Sequence, residues 1–152
     1  MNSEIEVYIQ NLAGSRVKNR HNEATLVHVG SIELFEPYPF AYGFIPKTIA
    51  ADGDCLDCYL LSPSDLEVNS LIRCIPIGIL EQFENEEPDH KILAVLRGES
   101  EKVDPVAIEI LRHFISRASQ QFTDTSFAAG AVLNQSAAIK LISEARHNVH
   151  DT

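Results

Sequence analysis

Ile5, Val7 and Ile9 alternate with Glu6 and Tyr8 near the start of the chain. A period of two is that of a strand with one face turned inward. Arg16, Lys18 and Arg20 alternate in the same way, so a strand there would carry three bases on one face, solvated or turned toward an anion. Thr25 to Val29 predicts another short strand, and Ser70 to Leu80 and Lys91 to Leu96 predict buried ones. The period changes after Asp104-Pro105, which has the form of an N-cap with proline at the first helical position. Val106, Ala107, Ile110, Leu111, Phe114, Ile115 and Ala118 then recur at helical spacing. Residues 120–135 read as a loop with Gly130, and Ala138, Leu141, Ile142 and Ala145 predict a last short amphipathic helix. Strands over residues 5–96 followed by helices predict a β-rich α+β chain, a small closed sheet with helices packed outside.

Two stretches interrupt this pattern. Pro37 to Pro46 holds three prolines and Gly43, which exclude a helix and disfavour pairing in a central strand. Its aromatics Tyr38, Phe40, Tyr42 and Phe44 would anchor it to the core, with the Tyr38 or Tyr42 hydroxyl free to meet a ligand. Glu81 to His90 is a polar loop with five acidic residues, either a solvated loop or a bank of carboxylates facing a second bank. Lys91 follows it, and a lysine beside carboxylates can hold phosphate oxygens as a point charge.

At 152 residues, 45% of them hydrophobic, the chain predicts a single domain over 1–152 with a real core. Its net charge of -10 argues against nucleic acid or an anionic membrane as partner. No leader and no membrane-length apolar run is read, and three cysteines do not make a disulfide framework, so a cytoplasmic location is expected. Cys55 and Cys58 form a C-x-x-C pair without further ligands at zinc spacing, and read as small buried hydrophobes.

The densest chemistry lies in Asp52-Gly53-Asp54-Cys55-Leu56-Asp57. Carboxylates crowded in this way repel one another and gain from a hard divalent cation, which prefers oxygen ligands. A solvated turn before a strand fits the same six residues. An EF-hand does not, since Pro63 stands where its closing Glu would be.

Tyr38-Pro-Phe-Ala-Tyr-Gly-Phe-Ile-Pro46 leading to Asp52–Asp57 closely resembles the signature of soluble family I inorganic pyrophosphatases. Pro76-Ile-Gly-Ile-Leu80, the acidic loop and Asp89-His-Lys-Ile-Leu-Ala-Val95 are similar to that family's second block, in the same order. The resemblance implies an OB-like five-stranded closed barrel with two or more flanking helices. It implies hydrolysis of pyrophosphate with magnesium, manganese being the alternative, in a homo-oligomer, commonly a hexamer. It makes Asp52, Asp57, Glu84 and Asp89 metal ligands, and Asp54 the residue that holds and deprotonates the attacking water together with the metals. Lys18, Tyr42 and Lys91 fall on positions that contact phosphate.

The chain also departs from the family. Cys55 stands where proline is usual, and Tyr8 and Arg20 stand at acidic positions. Gly30 falls near a phosphate-binding arginine, and Ala118 and Ser119 replace a tyrosine and lysine of the phosphate clamp. Arg16, Arg20, Lys47 and Arg117 are the candidates to compensate. Two other readings stay open: a hydrolase of another phosphoanhydride, and a non-catalytic metal-binding or regulatory relative.

Overall fold

The computed structural model describes residues 4–63 and 65–150. Nine strands and two helices follow in order: β1 (Ile5–Asn11), β2 (Val17–His21), β3 (His28–Glu33), β4 (Ala41–Ile45), β5 (Leu56–Leu60), β6 (Leu71–Glu84), β7 (Glu87–Pro88), β8 (Lys91–Val95), α1 (Pro105–Gln121), β9 (Phe127–Leu133) and α2 (Gln135–His150).

Pairing runs β1-β4-β5-β8-β6, and β1 pairs β6 in turn, so five strands close into a ring. Only β5 and β8 are parallel within it. The OB-like barrel with flanking helices is therefore present. The 14-residue β6 makes closure possible. Its start pairs β1, its middle β8 and its end β9, with register shifts between Pro76 and Gly78 and between Leu80 and Gln82. Such irregularities bend a strand and let one element serve two parts of a sheet. β2 and β3 form a separate hairpin.

Alternation divides the core in two. Ile5, Val7, Ile9, Ile45, Cys58, Leu60, Ile92 and Ala94 come from the ring strands and pack with Ile79 and with Ala138, Ile142 and Ala145 of α2. The opposite strand faces supply Tyr59, Leu80, Leu93 and Val95, covered by Ile108, Leu111 and Ile115 of α1. Asp104 caps α1 by accepting from the Val106 amide at 2.9 Å, as its sequence predicts. The buried face is rotated from the expected one: Ile108 is buried, whereas Val106 and Ile110 are exposed. All three cysteines are free thiols; Cys58 and Cys74 are buried and Cys55 half-buried. Among the described residues no helix is long and apolar enough to cross a membrane.

Other expectations are corrected as well. Ala41–Ile45 is a central strand between β1 and β5, because the prolines flank it and leave its five amides free to pair. The 120–135 loop contains β9, whose small residues Ala128 to Ala131 hide the alternation of a strand added to β6. The acidic 81–90 loop is a hairpin turning at Asn85 and Glu86, both with positive φ (51° and 68°). That is the handedness short hairpins favour. The predicted strand over 25–29 shifts to His28–Glu33, and the short last helix extends to Gln135–His150.

Gly43 is required by closeness of backbones. A Cβ there would stand 1.9 Å from the Tyr8 carbonyl oxygen. Gly43→Ala is expected to cost about 3 kcal/mol, the upper end for overpacking, because backbone cannot step aside as a side chain can. Gly30→Ala, where a Cβ meets nothing within 4 Å, is the control that loses no packing. Urea unfolding of both variants measures the difference.

Candidate active site

Register places the chemistry on the outer strand face under α1. Asp57 of β5 is paired with Lys91 of β8, and Tyr42 of β4 with Tyr59 of β5. Partners in register project to the same side. Leu80 is opposite Lys91, so Gln82 and Glu84 continue along that face. The hairpin of β2 and β3 supplies Lys18, Arg20 and Glu23 from the other side.

The result is a cavity of about 490 Å³. It brings together every residue expected at the site: Lys18, Tyr42, Asp52, Asp54, Asp57, Glu84, Asp89 and Lys91. Six carboxylates line it, counting Glu23, against the bases Lys18, Arg20 and Lys91. The Asp52–Asp57 segment is a turn, as one of its two readings had it, and its three carboxylates line the cavity. Asp52 accepts from the Asp54 amide at 3.0 Å, and Gly53 takes φ +90°, a conformation glycine adopts without a Cβ penalty.

Lys91 is the internal countercharge. Its Nζ donates to Asp57 at 2.6 Å, to Asp89 at 2.8 Å and to the Tyr42 hydroxyl at 3.1 Å. Burial opposes its charge, but the two carboxylates outweigh burial and raise its pKa. One ammonium does not satisfy both acids. Burial, then the charges of Asp57 and Asp52, push Asp89 up to about 6 despite Lys91. Asp54 is raised by burial and by Asp52 and Asp57, and Glu23 by burial and by Asp54, Asp57 and Asp52. Lys18 is lowered by burial and by Lys91. Tyr42 is raised far upward by burial and by Asp57, so its hydroxyl keeps its proton.

The donor set fits a hard cation. The acids are oxygen donors, and three of them are raised first by burial and then by neighbouring carboxylates, a repulsion that a cation would relieve. Among the described residues no three acidic, histidine or cysteine side chains converge into a ready-made cage. Part of the reason is that Lys91 occupies the space between Asp57 and Asp89.

Of the proposed compensating bases, only Arg20 lines the cavity. Arg117 is tied to Glu36 at 2.9 Å, and Lys47 lies beside Ile45 and Arg73 in another depression. Tyr8 is buried against Phe44 and His21 and reaches Leu26 and Asn69. Ala118 lines the cavity; Ser119 bonds to the Phe127 backbone. Glu23 was not foreseen. It lies in a hairpin turn and accepts from the Cys55 amide at 3.1 Å, a contact between segments 32 residues apart that no local pattern announces.

A closed five-stranded barrel with flanking helices and an acidic, lysine-bearing cavity on its flank places the chain among small proteins of the OB-like fold. The family model described as inorganic pyrophosphatase matches residues 7–150. The inorganic pyrophosphatase of Aquifex pyrophilus is 39% identical over 70% of this chain and 60% of that protein. That of Nanoarchaeum equitans is 30% identical over 95% of this chain and 97% of its own length. A crystal structure titled as an inorganic phosphatase from Anaplasma phagocytophilum has TM-score 0.89 at 25% identity, covering 97% of this chain and 94% of that one. The pyrophosphatase structure from Thermus thermophilus shares the fold, with TM-score 0.89 at 20% identity over 97% and 92% of the two chains. The chain belongs to the inorganic pyrophosphatase family, whose members are metal-dependent.

Proposed function

We propose that this chain hydrolyses inorganic pyrophosphate to two phosphates with magnesium. The observation that carries the reading is the single cavity that gathers both acidic banks with Lys18, Tyr42 and Lys91. Asp52, Asp57, Glu84 and Asp89, with Asp54, would hold the metal. When bound, divalent cations neutralise the substrate's charge and lower the pKa of water at the site to about 7 from 15.7. Asp54 takes the proton of the attacking water. The water oxygen bonds to one phosphorus, the bridging P–O bond breaks, and its electron pair leaves with the second phosphate. Lys91 and Lys18 bind phosphate oxygens as cations, and Tyr42 donates from its protonated hydroxyl. Phosphate release from pyrophosphate in the presence of magnesium, and none without metal, is the expected result. Absence of release with magnesium, manganese or zinc overturns the reading.

Magnesium affinity should fall on acidification through about pH 6. Asp89 carries a proton below about 6 before metal binds, and that proton must leave. With one displaced proton the loss is roughly tenfold per pH unit below that point. Calorimetry at pH 7 and pH 5 checks it; equal affinities would remove Asp89 from the ligand set.

We also place the chain in a homo-oligomer, a hexamer by its resemblance. The support is apolar surface on and beside the β2–β3 hairpin, with Val27, Val29 and Phe35 each about 60% exposed. Light scattering of the purified chain would read the mass directly, and a monomer overturns this placement.

A further inference from the structure

Arg20 lines the cavity and is exposed. Lys91, which shares the cavity, is tied to Asp57 and Asp89. Among the described residues the Arg20 side chain holds no acid and makes no hydrogen bond. It therefore brings to the cavity a permanent charge that no internal group uses. An arginine on a loose loop would need no further account, but this one stands on a backbone fixed on both sides. The Asn19 amide donates to Asn11 Oδ1, and Asn19 Nδ2 donates to the Gln10 carbonyl, both at 2.8 Å. His21 is buried, with its Nε2 2.8 Å from Asn69 Oδ1. These contacts tie β2 to β1 and to the turn before β6, so the Arg20 side chain starts from a set position.

Register supplies a second observation. Arg20 of β2 is directly opposite Gly30 of β3, and the register shifts between Arg20 and His21. Such irregularities re-aim a side chain and are common beside active sites. Opposite residues of an antiparallel pair share a face, and Lys18, two residues before Arg20, lies on that face too. A Cβ at Gly30 would meet nothing within 4 Å, so the space beside the guanidinium is open. The hairpin faces the acidic banks across the cavity, and a diphosphate held at those banks would turn its remaining oxygens to Lys18 and Arg20. A planar guanidinium fork matches two phosphate oxygens at once, which an ammonium does not. We propose that Arg20 is a substrate-binding residue that grips a phosphate group of pyrophosphate, doing from β2 what an arginine at position 30 would do from β3.

The inference rests on the diphosphate seat proposed above. Gly30 is the position that the family resemblance sets near a phosphate-binding arginine, and the cross-strand register returns a guanidinium to that place. One cation is present there and not two, since two arginines directly opposite would repel. Arg20 takes no part in proton transfer. It holds phosphate oxygens before and during the reaction alike, so KM registers its loss and kcat does so little.

The test uses the purified full chain with magnesium, pyrophosphate for turnover, and methylenediphosphonate, whose bridge is not hydrolysed, for calorimetric binding. Arg20→Met should raise KM and the diphosphonate Kd about tenfold or more, as loss of a hydrogen bond to a charged group does. Its kcat should stay within about threefold and its melting temperature should not change. Arg16→Met removes the same charge outside the cavity and should move neither constant by more than about twofold. Adding Gly30→Arg to Arg20→Met should bring both constants back to within about threefold of wild type, because opposite positions share a face. Wild-type hydrolysis with both constants of Arg20→Met within about twofold overturns the assignment and leaves the hydrolase reading standing. Equal damage by Arg16→Met also overturns it, for the effect is then one of net charge. A folded double variant without recovery overturns it as well. If pyrophosphate is not hydrolysed, the hydrolase reading falls. Diphosphonate binding that Arg20→Met weakens and Gly30→Arg restores then still upholds the role of Arg20, and no binding overturns it.

Discussion

Asp54→Asn is expected to lower magnesium-dependent phosphate release roughly a thousandfold, within the range that a positioned general base supplies. Asn has the shape of Asp and can still orient water, but it cannot take the proton. The fold should not suffer. Asp54 is an exposed turn residue whose carboxylate is repelled by Asp52 and Asp57, so removing its charge relieves repulsion. The expected signature is therefore an unchanged or slightly higher melting temperature with activity near background. Activity kept within about tenfold would take the base role from Asp54. Equal, low release by both proteins would favour a binding relative over an enzyme.

Lys91→Met should produce the largest loss of stability among the site variants. Its side chain is 4% exposed, while Asp57 and Asp89 are 21% and 19% exposed. Methionine fills the volume of the stem but leaves two close carboxylates without their shared cation. Breaking a buried ion pair from one side costs about 3–5 kcal/mol, and the partial solvation of both acids places this case near 3. At about 2–4 °C per kcal/mol for a chain of this size, the melting temperature falls by roughly 10 °C. Magnesium should restore part of the loss, because a divalent cation can replace the missing charge, and this separates the variant from an ordinary core defect. Catalysis should fall as well, since a phosphate contact is gone. A melting temperature equal to wild type without metal, or a deficit that magnesium does not change, would refute the assignment of Lys91 as countercharge.

The parts of this molecule legible in the chain were those whose signal is local. The alternation in Ile5–Ile9 marked β1, the Asp104-Pro105 pair marked the start of α1, and Asp52–Asp57 marked an acidic bank. Less legible were elements whose identity depends on neighbours. β9 is a run of small residues that becomes a strand because the long β6 offers it an edge. The face of α1 that is buried was misjudged because Val106 and Ile110 carry the same apolar character as Ile108. The acidic 81–90 segment hides a hairpin because a positive φ at Asn85 and Glu86 leaves no compositional mark as glycine would.

Residue type and spacing alone marked a β-rich chain with a small closed sheet, helices packed outside it and two acidic stretches, because periodicity and like-charge crowding act over a few residues; the OB-like barrel and the metal-ligand roles came from the family resemblance. Only the tertiary structure decided that Lys91 sits between Asp57 and Asp89 and that Glu23 joins the carboxylates. It also set Arg20 opposite Gly30 and kept Lys47 and Arg117 out of the cavity. These contacts join segments far apart in sequence, and they are set by strand register and by closure of the ring, which no short stretch of chain encodes by itself.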